Sequence, residues 1–207
     1  LFEKLTPAVV VVDYDVLVGG LDCVLPDFVG GMNQAAGYLT THYQNIGLIA
    51  GLELTTDGQR VRDVREKTFL NALKDCERYN PKLVKVENYT VDGGYKAMKE
   101  LLAGPESLDA VMVTNDAMAV GALRALHEAH VVIPDQIALV SFNDIESVTC
   151  NLYPALSAVH VATDQMASVA IELLGRRLAD SELAPQRVVV GTRLMLRQST
   201  PPEETNS

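Results

Sequence analysis

The chain has 207 residues and a formal charge of −10, from 17 Lys and Arg against 27 Asp and Glu. Apolar residues make up 48% of it, enough to offset chain entropy with a buried core and to exclude a disordered chain. No apolar run reaches the ~18 residues of a membrane-spanning helix. The acidic balance argues against direct contact with nucleic acid, which needs clustered cations to displace phosphate counterions. Arg60, Arg62 and Arg65 are the densest basic stretch, and Asp57 and Asp63 are interleaved with them.

In chain order, the β-branched run Val9–Val12 predicts a strand buried on both faces, ended by Asp13. Phe28–Tyr43 reads as a helix with Val29, Met32, Ala36 and Leu39 on one face. Ile46–Ala50 predicts a strand, Asp63–Arg78 a helix, Pro81–Val86 a strand and Gly94–Leu102 a helix opened by Gly93-Gly94. Ala110–Thr114 (strand), Asp116–Ala129 (helix) and Ile137–Phe142 (strand) follow. A long helix over Asp164–Leu178 and closing strands at Arg187–Val190 and Leu194–Arg197 complete the pattern. Strands alternating with helices of 10–15 residues mean βαβ units and a parallel sheet. The polar tail 201–207 is expected to fray.

Ligands of open α/β sheets bind beyond the carboxyl ends of the strands. Three strands deliver polar residues there: Asp13, then Asn115-Asp116, then Asn143-Asp144. Asp and Asn after a strand are also the usual caps of the next helix. Asp116 and Asp144 are expected to cap or orient, leaving Asn115 and Asn143 to face a cleft. A dinucleotide fingerprint, a P-loop, a nucleophile elbow and an H-E-x-x-H zinc motif are all missing from the sequence. His127 and His130 have no third ligand nearby, and His42 and His160 are isolated, so no metal site and no cofactor are expected. Cys23, Cys76 and Cys150 lack framework or zinc spacing, which predicts reduced, buried thiols and a cytoplasmic location.

Six blocks in series carry a resemblance. They are Asp27-Phe-Val-Gly-Gly-Met-Asn-Gln-Ala-Ala-Gly-Tyr-Leu39, Arg65-Glu-Lys-Thr-Phe69, Val113-Thr-Asn-Asp-Ala-Met-Ala-Val-Gly121 with Ile133-Pro134, Ser141-Phe-Asn-Asp144, Pro154-Ala-Leu-Ser-Ala-Val159 and Leu194-Met-Leu-Arg-Gln-Ser199. Together the chain resembles the effector-binding domain of LacI/GalR-family sugar-responsive regulators, nearest to repressors of β-galactoside metabolism. The resemblance implies a type I periplasmic-binding-protein-like α/β fold of two parallel-sheet lobes. Residue 1 would fall inside the first lobe, so a remnant of that lobe is expected at 1–26 and 160–182, with the second lobe at 27–159 and 183–200. The remnant would leave Val9–Val12 and the Met166, Ala170, Leu173 and Leu174 face of the long helix uncovered.

The resemblance further implies a sugar or sugar phosphate effector held by Asp13, Arg65, Tyr89, Asn115 and Asn143. It implies a cytoplasmic homodimer, operator DNA bound through a headpiece outside this chain, no enzymatic activity and no membrane partner. Asn143 stands where the family has Asp, and Thr68 where it has Gly. Two other readings share the fold class. One is a transporter's extracytoplasmic sugar-binding protein; the other is a small α/β enzyme with Asp13 or Asp116 as general base.

Overall fold

The computed structural model describes residues 8–15, 20–54 and 57–201. The strands are β1 (Val10–Val12), β2 (Asp22–Pro26), β3 (Ile46–Gly51), β4 (Glu53–Leu54), β5 (Arg60–Val61), β6 (Val84–Glu87), β7 (Ala110–Val113), β8 (Ala138–Asn143), β9 (Ser157–Val161), β10 (Arg187–Val190) and β11 (Thr192–Met195). The helices are α1 (Phe28–His42), α2 (Val64–Asp75), α3 (Val91–Ala103), α4 (Asp116–Glu128), α5 (Glu146–Thr149) and α6 (Thr163–Ala179). None of these helices is long and apolar enough to cross a membrane. The chain divides into two units, Leu1–Phe28 with Val161–Thr192, and Val29–His160 with Arg193–Ser207.

The first unit is a three-stranded parallel sheet in the order β1-β2-β10, with α6 packed on it. Its central strand β2 is buried along its whole length, as a parallel strand between two neighbours should be. Two expectations change here. Residues 183–192, expected with the second lobe, fall in this unit because β10 pairs with β2. Met166 and Leu173 of α6 are buried, not wet, because β1, β2 and β10 cover them. Val12, in the strand expected to be uncovered, is exposed, as are Ile171 and Leu178 on α6. A salt bridge closes the unit's base, with Arg177 donating through Nε and Nη2 to Asp22 at 3.0 Å each.

The second unit is built on a six-stranded sheet in the order β11-β9-β8-β7-β3-β6. The pairs β6/β3, β3/β7, β7/β8 and β8/β9 are all parallel. Alternate strand residues face opposite ways. Ile49, Val111, Val113 and Leu139 meet the buried faces of α3 and α4 (Ala97, Met98, Leu101, Met118, Ala122, Leu126) in one apolar cluster. Leu48, Met112 and Val140 point the other way and are equally buried, while α1 and α2 supply buried Met32, Leu39, Phe69 and Leu73. Both faces of the sheet are therefore covered.

Glycine sets the approach of α3 to α4. A Cβ on Gly121 would lie 1.8 Å from the Val91 carbonyl oxygen, and one on Gly94 1.9 Å from that of Met118. Only a residue without a side chain permits that contact. Thr90 caps α3, its Oγ1 accepting from the Gly93 amide at 3.0 Å, so the helix starts two residues before the glycine pair.

Pro81–Leu83, expected as part of a strand, forms a 3₁₀ turn capped by Asn80, and β6 begins only at Val84. Pro81 has no amide to give a ladder, and its fixed φ suits a first helical position. Cys76 and Cys150, expected to be buried, are exposed; Cys23 is buried. Of the tail, Pro201 is described, and its carbonyl accepts from Tyr38 Oη at 3.1 Å; residues 202–207 lie outside the described part.

Candidate functional site

The strand order reverses at β3. The chain runs from β3 outward to β6, then returns to β7 on the other side of β3 and continues to β8 and β9. At such a switch point the loops leaving two adjacent strands diverge, and a crevice opens at their carboxyl ends. Thr114, directly after β7, ties this point together. Its Oγ1 accepts from the Gly51 amide at the end of β3, at 3.0 Å.

Arg65 lies across the switch point. It sits in the first turn of α2, whose cap Asp63 accepts from the Arg65 amide at 2.6 Å. Its guanidinium donates through Nε to Asp63 Oδ2 at 2.8 Å and through Nη2 to the same oxygen. Nη1 donates to the Thr114 carbonyl at 2.9 Å and Nη2 to Tyr89 Oη at 3.1 Å. The guanidinium carbon is 5.4 Å from the Tyr89 ring centre and 5.8 Å from that of Phe142. One side chain thus reaches the ends of β6, β7 and β8.

Tyr89 Oη donates in turn to Asp63 Oδ2 at 2.8 Å, and Glu53 Oε1 lies 3.5 Å away. The ring rests on Gly51, where a Cβ would come within 2.0 Å of ring atoms. Burial raises the Asp63 carboxyl, but the hydrogen bonds and charge of Arg65 outweigh it and hold the group below its usual range. Burial also pushes the Tyr89 phenol up. The Glu53 carboxyl is raised first by burial and then by the charge of Asp63.

Asn115 follows β7, and the structure corrects its expected role. It is itself the cap of α4, its Oδ1 accepting from the Met118 amide at 2.8 Å. With the oxygen held by the helix, the amide nitrogen is left as a donor. Asp116, one residue on, turns to β8 and the loop after it. It accepts from Ser141 Oγ at 2.5 Å and from the Ile145 amide at 2.7 Å. Burial raises its carboxyl despite those two donors.

Asn143 ends β8 with φ 110°, and Asp144 follows with φ 59°. Consecutive left-handed residues other than glycine are strained by ~1–3 kcal/mol each and persist only where their surroundings fix them. Asp144 supplies the fixing. Arg197 grips both its oxygens, Nη1 on Oδ1 at 2.7 Å and Nη2 on Oδ2 at 2.9 Å, and Thr149 Oγ1 donates to Oδ1 at 2.7 Å. Burial would raise this carboxyl, but those donors hold it below its usual range. Asn143 itself pairs in register with His160 on β9.

His160, expected to be isolated, meets Asp144 Oδ2 at 3.1 Å, and Glu146 completes a group whose candidate ligand atoms lie within 4.8 Å of one another. Arg197 already occupies the Asp144 carboxylate, which sets a positive charge against any cation there.

Arg65, Tyr89, Asn115 and Asn143 are therefore gathered at adjoining strand ends of the second unit. Asp13 belongs to the first unit, at the end of β1 with φ 67°, its amide donating to the Val24 carbonyl at 2.9 Å. The sequence reading missed Asp63, Glu53, Gly51 and Arg197. Of these Asp63 carried a signal as an Asp directly before a helix with Glu three residues on, and Arg197 as the Arg of the Leu194–Ser199 block. Glu66 does not reach back to that cap; it is buried and takes both oxygens to Arg60.

Residues 37–200 match the profile of the periplasmic binding protein-like domain. The chain belongs to that family. The HTH-type transcriptional regulator GalR of Streptococcus thermophilus is 35% identical over 201 residues, covering 96% of this chain and 60% of that protein. A transcriptional regulator CelR–cellobiose complex superposes with a TM-score of 0.74 at 30% identity, over 87% of this chain and 54% of that one. A LacI family regulator from Arthrobacter sp. FB24, in complex with lactose, shares the fold with a TM-score of 0.80 at 23% identity, over 93% of this chain and 71% of that one. The relatives are transcriptional regulators, and this family member spans about 60% of the length of GalR.

Proposed function

We propose that the chain is the effector-binding domain of a LacI-type transcriptional repressor, with a sugar bound at the carboxyl edge of the second unit's sheet. The supporting observation is the guanidinium of Arg65, fixed by Asp63, Tyr89 and the Thr114 carbonyl at the switch point. A sugar hydroxyl both donates and accepts, so it pairs with a guanidinium and with amides such as those of Asn115 and Asn143. The Tyr89 face offers apolar area to the C–H side of a pyranose ring. Asp13, at the end of β1, is a carboxylate acceptor suited to a sugar hydroxyl.

In the intact protein this domain forms a cytoplasmic homodimer, and a helix-turn-helix headpiece binds operator DNA. The sugar binds one state of the intact protein better than the other, and that preference is the coupling between the sugar and DNA sites. The test is calorimetric titration of the intact protein with lactose, cellobiose and galactose, paired with operator release. Arg65→Lys keeps the charge but loses the planar fork. It is expected to weaken the bound sugar about 100-fold and to abolish release, since hydrogen bonds to charged groups are worth ~1.5–3 kcal/mol. Unchanged affinity in Arg65→Lys would contradict the assignment.

A further inference from the structure

Given that this edge is the effector site, we propose that it selects an uncharged sugar against a phosphorylated one, and that Glu53 is a residue that sets this selectivity. The resemblance left both ligand classes open, because the amide of Asn143 repels neither. The charges around the crevice decide between them.

Among the described residues, the cations at this edge are each drawn to a carboxylate. Arg65 is matched by Asp63 and Arg197 by Asp144. Lys96 is matched by Glu87 at the end of β6, and the His160 imidazole meets Asp144. Arg60 and Arg62, on and after β5, share one buried carboxylate, Glu66, which leaves one positive charge over on that hairpin. Two further carboxyl groups, Glu53 and Asp116, have no cation matched to them among these pairs. Asp116 is buried and spends its oxygens on Ser141 and the Ile145 amide. Glu53 is exposed on β4, its Oε1 facing Tyr89 Oη. Burial is the first cause of the raised Glu53 and Asp116 carboxyls, and the charges of Arg65 and Arg197, which lower them, do not offset it.

A phosphate binds where helix N-termini, unmatched Lys or Arg, or a glycine-rich cradle supply positive charge. At this edge the α4 N-terminus is capped by Asn115 and the α2 N-terminus by Asp63. A dianion here would meet the Glu53 carboxylate, while the charge of Arg65 is already matched by Asp63. A neutral polyol meets only acceptors and donors, and Glu53 is an acceptor for a hydroxyl lying against the Tyr89 ring.

The test is calorimetry on the intact protein with galactose and glucose, with their 6-phosphates, and with lactose and cellobiose. A neutral sugar is expected to bind at least about tenfold tighter than its own 6-phosphate at low salt. That gap should narrow as salt rises, because an exposed carboxylate is screened. Glu53→Gln removes the charge and keeps the shape; it is expected to narrow the gap about threefold or more by strengthening the phosphate. A 6-phosphate that binds as tightly as its parent sugar, or a gap unmoved by Glu53→Gln, overturns the proposal while leaving the sugar site standing. Failure of every sugar, phosphorylated or not, to bind overturns both.

Discussion

The two units use the same βα grammar and differ in how fully their sheets are covered. In the second unit β3 and β7 are buried at every position, and β8 at all but its last residue, Asn143. In the first, only β2 is buried throughout, β1 is half-buried to exposed, and β10 alternates. The helix α6 shows the same contrast: Met166 and Leu173 are buried while Ile171 and Leu178 are 72% and 71% exposed. A parallel strand gains its full burial only with neighbours on both edges and helices on both faces. The stable, twice-covered sheet of the second unit is what can carry two strained residues at Asn143 and Asp144.

The largest effect that separates the units should come from their cores. Leu126→Ala, in the cluster beneath α4, is expected to cost about 2–5 kcal/mol in chemical denaturation. Leu178→Ala on α6 is expected to stay within about 0.5 kcal/mol. Equal costs would erase the distinction. Gly121→Ala tests the helix contact directly. The added methyl meets the Val91 backbone, so about 1–3 kcal/mol of destabilisation is expected, with α4 displaced.

A smaller effect concerns acid. Asp63 and Asp144 lie below their usual range in the folded chain because Arg65 and Arg197 hold them. A depressed carboxyl contributes stability that is present above its unfolded value, near 3.8, and is lost as pH falls through the folded value. Both pairs lie in the second unit, so its stability should fall steeply below about pH 4. Asp144→Asn should lower neutral stability and flatten that acid limb in a pH-dependent melting series. An unchanged limb would mean that the Arg197 grip contributes little. Smallest in stability is Gly51→Ala. It should move the Tyr89 ring and weaken sugar binding while shifting the melting temperature little, since the colliding atoms belong to a half-buried side chain.

The central strands were legible in the sequence because continuous apolar runs mark strands buried on both faces. β3, β7 and β8 fall within a residue of where Ile46–Ala50, Ala110–Thr114 and Ile137–Phe142 were expected. β2 and β9 were not legible. Asp22 and Pro26 bracket the first, and Ser157 and His160 interrupt the second, so neither reads as an apolar run although both are almost wholly buried. At the site, strand-end position pointed to Asn115 and Asn143. It could not show that Asn115 spends its oxygen on α4, nor that Asn143 and Asp144 turn to positive φ. Arg65 and Tyr89 came from motif likeness; of the residues that fix them, Asp63 is the helix cap two residues before Arg65, while Gly51, the last residue of β3, is brought under the Tyr89 ring only in the folded chain.

The most direct measurement is an NMR titration of the isotope-labelled intact protein with the neutral sugar that binds it. The two edges of the second unit's sheet make the comparison. Shifts are expected at the Asn115 and Asn143 side-chain amides, the Arg65 Nε–H and the amides of Gly51 and Tyr89, all at the carboxyl edge. The amides of Asn45, Asp109 and Ala138, which donate to the Asp109 carboxylate, the Asn45 carbonyl and the Asp109 carbonyl at the opposite edge, should stay still. Shifts confined to that opposite edge, or spread over α6 and absent from Asn115 and Asn143, would contradict the account.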